Sequence, residues 1–227
     1  MSDQGLATAR PWLLASLFFG IGYVFVERSA MLGGLAVLWK GACVALLIPY
    51  ALRWPAVRQR AFVGLFLGFY AAGDVVLEFD LVNGAFLFVC GHLVAIIYFW
   101  LNRRSDPTAS QRALAIIIPL AALVIGWFLS PTPGDEPGLL VYVSFVSVMA
   151  GMAWYSRFPR YRTGLGGLLF LASDIVLLAR EGGLLADSLA SWLVWPLYYV
   201  GVFMMTTGIV QRSRETASGN PAIRTDR

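Results

Sequence analysis

Residues 83–101, NGAFLFVCGHLVAIIYFWL, contain no Asp, Glu, Lys or Arg. An apolar stretch of about 18 or more residues spans the hydrocarbon of a bilayer once wound as an α-helix, the form in which every backbone N–H and C=O is satisfied without water. The same test, worked outward along the chain, finds comparable segments at 12–27, 32–52, 60–79, 112–129, 138–156, 163–180 and 189–210. The expected fold is therefore an all-α polytopic membrane protein: an eight-helix transmembrane domain over residues 1–211, then a polar tail, RSRETASGNPAIRTDR at 212–227, expected to be disordered and cytoplasmic. Composition agrees, with 59% apolar and 13% charged residues and a mean hydropathy of +0.71, beyond what a water-soluble domain can solvate.

Loop charges orient the helices, because Lys and Arg are retained on the cytoplasmic side of short loops. Arg10, Arg53, Arg58, Arg60, Arg103, Arg104, Arg112, Arg157, Arg160, Arg162 and the tail arginines fall on one side. Glu27, Glu78, Asp80, Asp135, Glu136, Glu181 and Asp187 fall on the other, balanced there by Arg28 and Arg180. Both termini are thus expected in the cytoplasm and the 131–137 loop outside, in what reads as a bacterial inner-membrane protein. The net charge of +4 reflects this topology and gives no sign of nucleic-acid binding. Cys43 and Cys90 lie within spans and are expected as free thiols. The first apolar stretch follows Arg10-Pro11 without a small-residue cleavage pattern and reads as a retained helix.

Two of the helices look alike. Segment 64–79, GLFLGFYAAGDVVLEF, overlays 164–179, GLGGLLFLASDIVLLA, without a gap and matches Gly64 to Gly164, Ala72 to Ala172, Asp74 to Asp174 and Leu77 to Leu177. The helices are four crossings apart and run in the same direction, so a parallel four-plus-four internal repeat is expected. Gly64 and Gly68 on one, and Gly164, Gly166 and Gly167 on the other, would let these two helices approach closely and set their carboxylates face to face.

A charge at mid-membrane costs from about 3 to more than 10 kcal/mol and persists where it is paired or faces a polar cavity. Counted inward from the acidic end at 1.5 Å per residue, Lys40, Asp74, His92 and Asp174 share one layer roughly 8–14 Å deep, with Glu78 one turn nearer water. Read singly, Lys40 is the counter-ion of one Asp, Glu78 an interface marker and His92 a core histidine. Asp74 and Asp174 are too short to snorkel out and are the candidates for chemistry. A single histidine and two scattered cysteines exclude a His-rich zinc site and a thiolate site. No nucleophile elbow, P-loop or dinucleotide fingerprint occurs. No metal or cofactor is expected, a metal on Asp74, Asp174 and His92 being the lesser alternative.

Lys40 in the second helix, AAGDVVL at 71–77, CGHL at 90–93 and LASDIVLL at 171–178 together resemble the YhhN family of lysoplasmalogenases, and the resemblance extends over nearly the whole chain. It implies an intramembrane lipid hydrolase, needing no cofactor, that cleaves the vinyl-ether bond of a lysophospholipid taken from the bilayer, releasing a fatty aldehyde and a glycerophospho-headgroup. On this reading Asp74 and Asp174 are the acid–base pair, and Lys40, His92, Glu78, Ser173, Tyr198 and Tyr199 bind substrate or support the pair. The chain departs from the family's usual residues at Gly41, where Pro is usual, at Ala95, where a Tyr often follows the His, and at Tyr198-Tyr199-Val200-Gly201-Val202, which lacks the usual glutamine.

Such a hydrolysis needs one protonated carboxyl as general acid and one ionised carboxylate facing the cation that forms. A Lys40–Asp ion pair would separate the two roles, or Lys40 would instead grip the phosphate. A single-chain amphiphile also calls for a lateral entrance in the outer half of the membrane. The rival reading is a transporter or proton-coupled channel with Asp74 and Asp174 as relay. Proline is absent from both Asp-bearing helices, which favours a fixed site over the broken helices of transporters.

Overall fold

The computed structural model describes residues 3–27, 33–54, 57–129 and 136–217. Among them the chain is helical almost throughout: α1 (Asp3–Val26), α2 (Gly34–Ala45), α3 (Leu47–Leu52), α4 (Arg60–Val76), α5 (Leu81–Leu101), α6 (Ala109–Phe128), α7 (Glu136–Tyr155), a π-helical turn (Arg160–Gly164), α8 (Leu165–Glu181) and α9 (Asp187–Ala217). Seven stretches are long and apolar enough to cross a membrane, α2 with α3 and the π-turn with α8 each counting as one. α4, with 17 residues, supplies the eighth at a rise of roughly 26 Å, the lower limit for a span. The eight crossings are those expected from the apolar runs.

Local chemistry sets where these helices begin and break. Pro49 cannot donate to the carbonyl of Ala45, and the second crossing breaks at Leu46 into α2 and α3. Asp80 caps α5 by accepting from the Asn83 N–H at 2.9 Å. That backbone hydrogen bond holds the exposed Asp80 carboxyl below its ordinary pKa. α6 opens on a capping box in which Thr108 and Gln111 satisfy each other's backbone N–H, worth about 1 kcal/mol.

α4 and α8 each pack between the helices that precede and follow them in the chain. α4 lies against α2, α3 and α5, and α8 against α7 and α9. Across the halves α5 meets α7, and α9 meets α2 and α3. The basic ends are latched together: Arg157 donates its backbone N–H to Asn102 O at 2.9 Å and its guanidinium to Asn102 Oδ1 at 2.5 Å, while Asn102 donates to Gln59 Oε1 at 3.1 Å. Toward the basic ends a buried apolar cluster containing Phe66, Leu67, Phe99, Met149, Phe158 and Met205 fills the bundle, with the buried polar groups Ser156, Thr163 and Thr206 beside it.

Two expectations change here. The glycines of α4 and α8 do not draw these two helices together. A Cβ on Gly64 would meet Leu52 of α3, one on Gly166 would meet Gly201 and Met205 of α9, and one on Gly167 would meet Ala153 and Ala150 of α7. Each glycine fits its helix to a neighbour within its own half, and side chains bridge the space between α4 and α8. The polar tail is also not irregular from residue 212, since α9 continues to Ala217, supported by Gln211 donating to Glu215 Oε1 at 2.8 Å and by Arg214 over the Trp54 ring at 4.6 Å. Residues 218–227, Arg28 and most of the 131–137 loop lie outside the described residues.

Candidate active site

Near the acidic end the bundle holds a cavity of about 790 Å³ whose lining includes Lys40, Asp74, Glu78, Tyr142, Ser173, Asp174, Arg180, Glu181 and Tyr198. This volume is within the usual range of small-molecule sites, about 300–1,000 Å³. Asp74 (1% exposed) and Asp174 (5% exposed) are both buried in its wall. Each carboxyl has one partner of the same kind: the Tyr198 hydroxyl donates to Asp74 Oδ2 at 2.8 Å and the Tyr142 hydroxyl to Asp174 Oδ2 at 2.8 Å. Burying a carboxyl is costly unless it is hydrogen-bonded, and these two bonds position both groups while leaving each Oδ1 without a hydrogen-bond partner among the described residues.

The motifs around the acids acquire a steric meaning. A Cβ on Gly73, beside Asp74, would lie 2.9 Å from the Phe88 ring, and one on Gly91, beside His92, would lie 2.5 Å from the Tyr70 ring. Both glycines thus accept aromatic rings into the bundle. Tyr70, Phe88, His92 and Phe170 form the floor, with Tyr70 to Phe170 at 5.1 Å and His92 to Phe170 at 5.0 Å between ring centroids. Ser173, beside Asp174, donates to the Val194 carbonyl at 2.8 Å and ties α8 to α9 just before Pro196.

Lys40 is not paired with an aspartate. Its ammonium donates to Glu78 Oε1 at 2.5 Å, within electrostatic reach of Asp74. Glu78 stands one turn nearer the mouth, its side chain 37% exposed against 12% for Lys40. An ion pair costs less where one partner keeps water than between a lysine and a fully buried carboxyl, and the long lysine stem reaches that position. Arg180 is paired in turn with Glu181 at 2.6 Å.

His92 and Tyr199 stand back from the cavity. His92 is fully buried, shares a 2.9 Å hydrogen bond between Nδ1 and the Tyr70 hydroxyl, and leaves Nε2 without a partner among the described residues. Tyr199 bonds Ser16 at 2.9 Å, and Ser16 donates to the Cys43 carbonyl at 2.6 Å, which fastens α1 to α2 and α9. Among the described residues no three of His, Cys, Asp and Glu gather as metal ligands. Tyr142, which the sequence reading passed over, holds Asp174. It lies six residues into α7, about 9 Å from that helix's acidic end at 1.5 Å per residue, so matching its depth to that of Asp174 was the available signal.

Fold and site together define a polytopic helical membrane protein with a carboxyl-lined cavity in one half of its span. The sequence model of the YhhN family matches residues 35–209, a stretch that includes every residue from Lys40 to Tyr199 discussed above. The chain belongs to the YhhN family. No curated protein and no solved structure matches it.

Proposed function

We propose that this chain is an intramembrane lipid hydrolase that cleaves the vinyl-ether bond of a lysophospholipid, with Asp74 and Asp174 as its acid–base pair. The observation that carries the proposal is the pair itself: two buried carboxyls, each fixed by a tyrosine hydroxyl, in the wall of one cavity with Lys40 near its mouth. One carboxyl, protonated, gives its proton to the vinyl carbon β to the ether oxygen. The π pair forms the C–H bond, and an oxocarbenium ion remains, shared by the α carbon and oxygen. The other carboxylate faces this cation and takes a proton from the water that adds to the α carbon. The resulting hemiacetal collapses as its hydroxyl proton returns to the first group, the second protonates the leaving oxygen, and both carboxyls are restored.

The alternative of a transporter relay is less well served, because below the carboxyls lie the aromatic floor and the apolar cluster, including Phe66, Leu67 and Phe99. With the acidic end taken as external, the headgroup sits at the outer interface. The test is to incubate purified protein with a lysoplasmalogen and measure aldehyde; a folded preparation that releases none would overturn the reading.

Lys40 then has a definite place. It pairs with Glu78, four residues beyond Asp74 and about 6 Å nearer the mouth at 1.5 Å per residue, where the phosphate of a bound lysophospholipid would lie. Lys40→Met is expected to raise KM with little change in kcat, the pattern of an interaction made equally in ground and transition states. A collapse of kcat at unchanged KM would place Lys40 with the carboxyl pair instead.

A further inference from the structure

The cavity wall contains side chains that face outward. Along α5 its lining includes, beside the inward Phe88, the stripe Leu81, Val82, Ala85, Phe86 and Val89, and along α7 it takes in Gly138, Leu139, Val141 and Tyr142. Of these, Val82 is 76% exposed, Phe86 63% and Val141 55%. Both helices are membrane spans, and Phe86 and Val141 each lie five residues in from the acidic end of their helix, so what surrounds these two side chains is lipid. A cavity that shares its wall with lipid-facing residues of two adjacent helices is open to the bilayer between them.

The two helices are tied at the opposite end. Arg103 and Ser156 form a backbone bridge, and the Asn102 carbonyl accepts from the Arg157 N–H. Above that tie lies the slot, with the α5 stripe from Val82 to Val89 rising about 10 Å at 1.5 Å per residue. The corresponding seam in the other half, where α9 meets α2, is covered. There α1 lays the buried Tyr23 against Trp195 at 4.4 Å between centroids, Trp195 donates to Gly20 O at 2.9 Å, and Ser16 bonds Tyr199.

We infer that the slot between the outer halves of α5 and α7 is the passage for the hydrocarbon chain of the amphiphile, with Phe86 and Val141 as its two sides. The aromatic floor of Tyr70, Phe88, His92 and Phe170 blocks a chain from running down the bundle axis, and the ion pairs Lys40–Glu78 and Arg180–Glu181 occupy the polar end. A bound amphiphile whose reactive bond is beside the aspartates therefore has one apolar direction left for its tail, sideways into lipid. The inference rests on the lipid-hydrolase reading for its choice of ligand, and its test is a binding measurement that needs no turnover.

The probe is a radiolabelled saturated 1-O-hexadecyl lysophosphocholine, which has no vinyl ether to cleave. Full-length protein carrying p-benzoylphenylalanine in place of Phe86 or Val141, or as a control at the lipid-facing Ile117 of α6, is irradiated in phosphatidylcholine vesicles with increasing probe. Labelling at 86 and 141 is expected to saturate and to be competed by unlabelled probe, whereas labelling at 117 rises linearly as plain partitioning does. Val141→Trp, which narrows the slot at a lipid-facing position, is expected to remove the saturable labelling at 86. Linear labelling at all three positions would overturn the passage, even in a protein that released aldehyde. Saturable labelling in a protein that released none would support the passage and overturn the reaction alone.

Discussion

Asp74→Asn and Asp174→Asn are each expected to lower aldehyde release by about 10² to 10⁴, the usual worth of general acid–base assistance, in protein that still inserts and purifies as the parent does. Asparagine has nearly the shape of aspartate, and its carbonyl oxygen can accept from Tyr198 or Tyr142 as Oδ2 does now, so the wall of the cavity stays intact. It can neither give a proton to carbon nor carry the negative charge that faces an oxocarbenium ion. Because each group both gives and takes a proton on the substrate in every cycle, removal of either slows the whole cycle. The double variant should be scarcely slower than either single one, as for residues that act as a unit. Glu78→Gln should be milder, since Glu78 is half-exposed at the mouth and pairs with Lys40 rather than with the reacting atoms. The measurement is aldehyde release by monodisperse variants across pH. Near-parental turnover by either Asn variant would remove that aspartate from the mechanism, and a multiplicative loss in the double variant would show two independent roles.

Hydrophobic run length was enough to read the eight crossings, because the bilayer imposes one length on every span. Depth along a helix was also legible: residue counting placed Asp74 and Asp174 in one layer, and both line one cavity. Direction around the helix was harder. Counting put Lys40 and the aspartates at similar depth but could not see that the lysine stem bends toward Glu78. Tyr142 and Tyr70 were hidden for another reason, since an aromatic residue in an apolar helix looks like core until its hydroxyl is seen to reach a carboxyl or an imidazole. The glycines were misjudged because small residues mark close approach without naming the neighbour. Two of the positions noted above as departures, Gly41 and Gly201, are close-packed. A Cβ on Gly41 would lie 2.6 Å from Val75, and Gly201 touches Gly166. We retain the parallel four-plus-four duplication as a proposal. An offset of one hundred residues carries Tyr70 onto Phe170, whose rings meet at 5.1 Å, as counterparts beside a pseudo-twofold axis would. The same four-helix shift carries the α5–α7 contact onto that between α9 and α2.

The contact of Gly166 with Gly201 sets the second large expected effect, this time on folding. A Cβ on Gly166 would lie 2.6 Å from the Gly201 carbonyl oxygen and 2.8 Å from the Met205 nitrogen, and one on Gly201 would lie 2.7 Å from the Gly166 oxygen and 2.9 Å from the Phe170 nitrogen. All four obstacles are backbone, so no side chain can turn aside to make room. α8 and α9 would have to move apart, opening the interface that seats the buried Phe170, Tyr198 and Met205 and shifting the tyrosine that holds Asp74. Overpacking a tight core usually costs about 1–3 kcal/mol, and a clash with two backbones belongs at or above the top of that range. Gly166→Val and Gly201→Val should therefore leave little monodisperse protein after detergent extraction and a markedly lower melting temperature in what remains. Gly68→Ala is the control, because a Cβ there meets nothing within 4 Å, and it should behave as the parent. If Gly166→Val melted with the parent, the close approach of α8 and α9 would be wrong, and with it the placement of Tyr198 against Asp74.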